Sequence, residues 1–386
     1  MIRRIGLLLR VLRVLCGSSI GLAFANAHAV QPTPPRWKGT VDLTIGGTNA
    51  ADGADFGRIT GLTVDAAGRI FVSDWDDDQI RAFSPSGALA SRIGRKGSGP
   101  IEFKGLATIT IGPDGMLWVR DEGNARMQVI NVRSNPASSV ATFPLKQFTG
   151  GSRLPIVFTV DGSLVDETIS FDQASGGFRP LSVRRSKTGD VLRVDTLKIP
   201  EGANAGVHKV TEVQKDAAGK QIGVSQRYFR QPFGPAWLRA YGPGGVRAEA
   251  VGSKYDVTVF GADGRVVRTL KRTIPPVTLS AAERRRADST INAQKTDLPF
   301  GVPSAKPPVV GLAWTLGGEL WVERSHLDGR PREADVYNKD GALIAIAEWP
   351  ADIDLLNGFP SINGTTVVAV HSGDEGLESI VRLRFR

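Results

Sequence analysis

The stretch Gly61-Leu-Thr-Val-Asp-Ala-Ala-Gly-Arg-Ile-Phe-Val-Ser-Asp74 decides the architecture. Two runs rich in β-branched and aliphatic residues flank a short Asp/Ala/Gly segment, which reads as a strand, a tight turn and a second strand. The pattern returns at Leu106-Ala-Thr-Ile-Thr-Ile-Gly-Pro-Asp-Gly-Met-Leu-Trp-Val-Arg-Asp121. It returns more weakly over 157–165 around Asp161-Gly162, and again around Gly244-Gly245, Gly317-Gly318 and Asn363-Gly364. The turn glycines fall at 68, 115, 162, 245, 318 and 364, where a tight hairpin asks for positive φ. Three spacings are 47, 47 and 46 residues; the other two, 83 and 73, contain insertions. A period of this length marks a stacked repeat architecture.

Six such turns imply six blades. Five blades carry a second hairpin signal, at Ser84-Pro-Ser-Gly87, Arg133-Ser-Asn135, Ser186-Lys-Thr-Gly189, Gly261-Ala-Asp-Gly264 and Asn338-Lys-Asp-Gly341. The sixth blade ends at Arg386 after three strands. Its missing outer strand is found at the other end of the chain. Ile45-Gly46, followed by Phe56, matches Ile93-Gly94, followed by Phe103, so residues 40–46 should complete the last blade. The expected fold is all-β: a six-bladed β-propeller over 40–386, closed by an N-terminal strand that removes the open sheet edges.

Composition agrees. The 386 residues include 45 Gly and 23 Pro, and 41% are apolar, which suits many turns around a large core. Residues 1–29 read as a secretory signal. Arg3 and Arg4 precede an apolar run over 14–25, and Ala27-His28-Ala29 offers a small-x-small cleavage site. The run is too short to span a bilayer, so no integral span is expected after cleavage. Residues 30–39, with Gln31-Pro32-Thr33-Pro34-Pro35, read as a linker. The only cysteine, Cys16, lies inside the signal, so the mature chain is expected to have no disulfide and no thiolate ligand. Four arginines also leave with the signal, which brings the formal charge from +9 to +5. Arg184-Arg185 and Arg284-Arg285-Arg286 are short and separate, so there is no basic stripe for a nucleic acid. A periplasmic or secreted monomer is the expectation.

Asp121-Glu-Gly-Asn-Ala-Arg-Met-Gln-Val-Ile130 resembles the NHL-repeat signature of Asp, Asn, a basic residue and Gln at fixed offsets. Asp74-Trp-Asp-Asp-Asp-Gln-Ile-Arg-Ala-Phe83 is similar, with Asp77 at the Asn place and Gln79 at the basic place. The chain is similar to bacterial exported six-bladed propellers related to NHL-repeat proteins, most clearly over 40–145 and including Ile93-Gly-Arg-Lys-Gly-Ser-Gly-Pro-x-Glu-Phe103. The resemblance implies the fold. It does not name a function, because one propeller scaffold hosts many activities.

Two stretches depart from the repeat. Residues 201–232 hold few apolar residues and read as a loop or an elaborated edge. In 272–308, Ser280-Ala-Ala-Glu283 is a capping box and 281–295 reads as a short helix, giving a helical insertion near 278–296 between prolines. This excursion is a surface loop or a lid over the central channel.

Loops between strands two and three, and those between blades, should share one face. Candidate ligand-binding residues there are Asp74, Trp75, Asp76, Asp77 and Asp78, with Arg95, Lys96 and Glu102 in the first crossing between blades. The aspartates suggest calcium, though the spacing is not that of an EF-hand. Arg95 and Lys96 offer an anion site, and Trp75 a stacking surface. A lyase of the NHL class holds a histidine-bound zinc; the resemblance makes His326 and His371 candidate ligands, with His208 a third. No nucleophile elbow is present. The expected function is an exported binding module that presents this face to a protein, peptide or glycan. The alternative is a metal-dependent propeller hydrolase or lyase.

Overall fold

The computed structural model describes residues 33–48, 50, 53–145, 156–172, 177–294, 297–356, 360–373 and 376–386. The signal reading of 1–29 therefore lies outside the described residues. Among those described, no helix is long and apolar enough to cross a membrane.

Six antiparallel blades follow one another along the chain. Blade 1 runs from Ile59–Val64 to Leu89–Ile93, and blade 2 from Leu106–Ile111 to Ser138–Pro144. Blade 3 runs from Val157–Phe158 to Val191–Thr196, and blade 4 from Trp237–Tyr241 to Val266–Lys271. Blade 5 runs from Val309–Trp314 to Leu343–Trp349. Blade 6 takes Ser361–Asn363, Thr366–Ser372 and Glu378–Phe385 from the C-terminus and its outer strand from the N-terminus. The glycines at 68, 115, 162, 245, 318 and 364 all have φ between 56° and 89°, as the hairpins between the first two strands require.

The closing strand is Arg36–Gly46, which begins four residues earlier than the sequence pattern suggests. It pairs antiparallel with the last strand, from Gly39 opposite Phe385 to Gly46 opposite Ser379. Its first residues add a parallel ladder to blade 5, with Arg36 opposite Ile346 and Lys38 opposite Glu348. This second pairing is what carries the strand back to residue 36. A register shift between Val41 and Leu43 brings in Asp42, which accepts from Arg382 Nε at 2.7 Å and Arg384 Nε at 2.6 Å.

The core lies between blades. At the junction of blades 5 and 6, Phe385 meets Trp321 edge-on at 5.1 Å and Trp349 at 6.5 Å, with both tryptophans fully buried. Gly39 lies directly over the Phe385 ring, and a Cβ there would stand 2.7 Å from two ring carbons. Apolar clusters also fill the junctions 6–1, 1–2, 2–3 and 4–5. Among the described residues, the junction of blades 3 and 4 is built on charge instead. Glu167, 3% exposed, accepts from Arg239 Nη2 at 2.6 Å, from Arg239 Nε at 3.1 Å and from Tyr241 at 3.2 Å. Arg239 in turn stacks over Trp237 at 4.0 Å. This polar junction is why the apolar repeat fades over blades 3 and 4.

Residues 201–232, expected as a loop or edge, form a β-ribbon of Val207–Lys215 and Gln221–Arg230 that pairs only with itself. Its residues near the turn are exposed on both strands, so no apolar alternation announces it. The second insertion contains the expected helix, Ala281–Ala293, capped by Ser280 with the reciprocal Glu283 bond in place.

Closure should dominate stability. Phe385→Ala leaves a cavity beneath two tryptophans and should cost about 3–5 kcal/mol. Gly39→Val should cost about 1–3 kcal/mol through overpacking. Urea unfolding followed by tryptophan fluorescence measures both; a loss below about 0.5 kcal/mol in each would show that the ring does not depend on this seal.

Candidate functional site

In an antiparallel blade, the loop between strands two and three and the connection to the next blade lie at the same end. One face therefore gathers 75–78, 122–125, 252–255, 325–331 and the blade connections. The sequence candidates do fall on this face, yet most of their polar atoms are already engaged.

Asp74 is fully buried and accepts from the backbone N–H groups of Gly57 at 3.0 Å, Arg58 at 3.2 Å and Asp76 at 3.1 Å. Asp121 repeats the arrangement one blade on, accepting from Lys104 N and Asn124 Nδ2, each at 2.8 Å, and from Arg126 Nε at 2.8 Å. Arg126 also donates to the carbonyls of Ser98, Gly99 and Glu102, while Gln128 holds Glu102 O and Ile101 N. The Asp-Asn-Arg-Gln signature is thus a clamp on the crossing over 97–104. In blade 1 the last two roles are exchanged. Arg81 stands where blade 2 has Gln128 and reaches Asp74 at 3.4 Å and also Asp77 and Asp55 O, and Gln79 donates to Gly94 O at 3.2 Å.

The remaining acidic candidates disperse. Asp78 is buried at φ 48° and caps the start of blade 2, accepting from Gly105 N at 2.7 Å and Leu106 N at 3.2 Å. Asp76 points to Arg58 at 3.8 Å, and that arginine covers the Trp75 ring at 4.7 Å. The four aspartates of 74–78 therefore do not converge. Arg95 donates twice to Glu102 Oε1, at 3.0 and 2.8 Å, and Glu102 Oε2 accepts from Gly99 N at 2.8 Å. These bonds from Gly99 and Arg95 hold the Glu102 carboxyl below its usual range. The crossing thus supplies its own anion, and of its two cations only Lys96 has no such partner among the described residues.

His371 lies one residue from the end of the second strand of blade 6, opposite Ser379, and His208 pairs with Phe229 in the ribbon. His326 sits in the blade 5 loop, where its carbonyl accepts from Lys306 Nζ at 2.7 Å. Burial, then the nearby Arg332 and Lys306, push the His326 imidazole below its ordinary value. Among the described residues, no three His, Cys, Asp or Glu side chains group so as to hold a metal ion. Asp374 and Glu375, which follow His371, lie outside the described residues.

A cleft that the motif reading missed lies between the two insertions. Tyr228, Phe229, Arg230 and Pro232 line one side, and Thr290, Ile291, Gln294 and Leu298 the other, around roughly 370 Å³ that includes its open mouth. The second insertion closes on itself through Thr278 paired with Ala305 and Lys306 N donating to Val277 O at 2.8 Å. It is tied to the first by Gln231 Nε2 donating to Gly301 O at 2.8 Å and by Lys306 over the Phe233 ring at 5.8 Å. The helix start is fixed by the buried Lys306–Glu283 pair, with Nζ to Oε1 at 2.5 Å, and by Ser280 Oγ donating to Asp328 at 2.7 Å. The weak signal for this cleft was the placing of Tyr228-Phe229, Ile291 and Leu298 within otherwise polar insertions.

Glu323, fully buried in blade 5, holds one oxygen to Arg332 Nη1 at 2.7 Å; the other lies 2.8 Å from where a Gly311 Cβ would stand. Burial raises its carboxyl to about 7, against the pull of Arg332 and with the repulsion of Asp354 adding to the rise.

Residues 51–128 match a family model described as a 6-bladed beta-propeller. Virginiamycin B lyase from Staphylococcus aureus is similar in fold, at 14% identity and a TM-score of 0.44, over 90% of this chain and 99% of that one. A protein from Bacteroides fragilis described as exported reaches 13% and 0.48, over 92% and 100%. PQQ-bound aldose sugar dehydrogenase from Streptomyces coelicolor reaches 14% and 0.46, over 92% and 100%. No curated protein matches.

Two outcomes are expected. Asp121→Ala strips the clamp from buried donors and should cost about 2–4 kcal/mol. It should also raise amide exchange over 97–104; unchanged exchange there would refute the clamp. Because the Glu323 carboxyl is raised, the folded state binds more protons than the unfolded one between pH about 4.5 and 7, so stability falls as pH rises through that window. Glu323→Gln should flatten the change in Tm between pH 5 and 7.5, read by scanning calorimetry.

Proposed function

We propose that this propeller is an exported binding module, periplasmic or secreted, whose loop face captures a protein, peptide or glycan. The observation that supports the reading is the placing of the two insertions. They leave the ring at consecutive blade connections, on either side of blade 4, rise from the same face, and pack together around an open cleft. A chain needing only a closed ring has no use for them, and irregular connections on a rigid scaffold are where ligands are met. The acidic and basic candidates nearer the channel serve the backbone, which moves the ligand reading outward from Asp74–Asp78 and Arg95 to the insertions, with Lys96 and Trp75 on the rim.

Export rests on the signal reading of 1–29. The relation to NHL-repeat proteins rests on the Asp121–Gln128 clamp and its blade 1 counterpart. The alternative, a metal-dependent hydrolase or lyase, needs at least three converging ligands.

The test uses the mature chain and a variant whose ribbon, residues 207–230, is replaced by a Gly-Gly link. Both are immobilised and exposed to envelope extract, and metal content is measured by elemental mass spectrometry. Retention of a partner by the intact chain and its loss with the ribbon supports the binding module. Equal capture by both would refute the role of the insertions. Stoichiometric metal that survives dialysis would favour the enzyme.

A further inference from the structure

The turns between the first two strands of the blades are alike in shape and unlike in chemistry. In blades 1, 2 and 3 an aspartate ties its own turn: Asp65 Oδ1 accepts from Arg69 N at 2.9 Å, Asp114 Oδ1 from Met116 N at 3.0 Å, and Asp161 Oδ1 from Ser163 N at 3.0 Å. In blade 5 Glu319 N donates to Thr315 Oγ1 at 3.0 Å. In blade 6 Asn363 stands opposite Thr366, with Gly364-Thr365 as the two-residue loop. The Asn363 side chain has no hydrogen-bond partner among the described residues. Other turn asparagines are held: Asn131 Oδ1 accepts from Arg133 N at 3.0 Å, and Asn338 Oδ1 from Ala342 N at 2.9 Å.

The surroundings of Asn363 leave its amide carbon open to the next backbone nitrogen. Asn363, Gly364 and Thr365 are all exposed. The Gly364 N–H makes no hydrogen bond among the described residues. A Cβ built on Gly364 would meet nothing within 4 Å, so no neighbouring group crowds that nitrogen. Yet the turn lies at a joint. Ile362, 1% exposed, bridges to Thr315 of blade 5, and its carbonyl accepts from Leu316 N at 2.7 Å. Thr365 O accepts from Phe385 N at 2.8 Å. A change in backbone length here acts on the junction of blades 5 and 6 and on the residue that seals the ring.

We propose that Asn363-Gly364 is a site of spontaneous deamidation, and that its isoaspartyl product loosens the inner strand of blade 6 from blade 5. Asparagine is a thermolabile residue, and a following glycine offers the least hindered nitrogen. Gly364 N loses its proton to solvent base and attacks Asn363 Cγ. The new C–N bond closes a five-membered imide, the Cγ–Nδ2 bond breaks, and Nδ2 takes a proton from water and leaves as ammonia. One water then opens the imide. Opening at Cγ gives aspartate; opening at the backbone carbonyl gives isoaspartate, whose main chain runs through Cβ and Cγ. Both products add a negative charge. Only isoaspartate lengthens the chain, which displaces the Asn363–Thr366 pairing and with it the Ile362 carbonyl that Leu316 uses.

The test incubates the full mature chain at 37 °C between pH 6 and 9, then digests it at low pH for tandem mass spectrometry. Fragmentation scores each asparagine separately, including Asn357, which also precedes a glycine and lies outside the described residues. Acid should appear at Asn363 at least about tenfold faster than at Asn131 or Asn338. Its rate should climb with pH, because the attacking nitrogen must lose its proton. An isoaspartyl methyltransferase should label the same peptide. Asn363→Gln should remove the signal and leave Tm unchanged. In the isoaspartyl fraction, isolated by ion exchange, the Leu316 amide should exchange at least about tenfold faster than in fresh protein. Fresh Asn363→Asp, which has the charge without the longer backbone, should keep its protection. Conversion at Asn363 no faster than at Asn338, or a product without isoaspartate, would overturn the site. Unchanged exchange at Leu316 in the isoaspartyl fraction, or an equal loss of protection in fresh Asn363→Asp, would overturn the loosening.

Discussion

Every blade of this protein is a sheet with two faces to cover and only its neighbours to cover them. A lone four-stranded sheet would leave both faces wet, so the six must bury one another in a circle or not at all. Where the faces are apolar, aromatic wedges do this, as Phe385 does between Trp321 and Trp349. Where blades 3 and 4 meet, Glu167 accepts a bidentate arginine and a tyrosine hydroxyl, and the buried charge has its geometry satisfied. The fold tolerates this exchange because a propeller asks only that each junction be filled and each buried polar atom be met.

The same demand explains the loop face. Crossings between blades are largely irregular, so most of their backbone N–H and C=O groups lie outside any long ladder. Asp74, Asp78 and Asp121 supply acceptors to those N–H groups, and Arg126 and Gln128 supply donors to the carbonyls. Side chains spent on architecture are not free for a ligand. The surface left open is the one built from segments that the repeat does not need: the ribbon and the capped helix.

Features written in local sequence were legible. Turn glycines, the capping box at Ser280 and Glu283, and the matching Ile-Gly ends that predicted the closing strand each depend on a few neighbouring residues. The ribbon over 207–230 was not legible, since strands exposed on both faces lack alternation. The aspartate quartet misled for a physical reason: Asp74 and Asp78 turn inward to backbone donors while Asp76 and Asp77 turn out, and sequence order does not record direction. The cleft was hidden because its two walls are some sixty residues apart, and their meeting depends on which blade connections are adjacent in the ring.

The closing strand also sets an order of events. Residues 36–46 leave the ribosome early, whereas their partners at 379–385 follow only after the other five blades have been made. Bringing ends so far apart in sequence together carries an entropic cost of about 5 kcal/mol. Until then, the strand 36–46 and the inner strands of blade 6 keep open edges. Synthesis of residues 379–385 is thus itself the signal for locking. A product shortened by a single C-terminal strand would lose Phe385 and the ladder together, and would present to proteases and chaperones two open edges that the finished molecule hides.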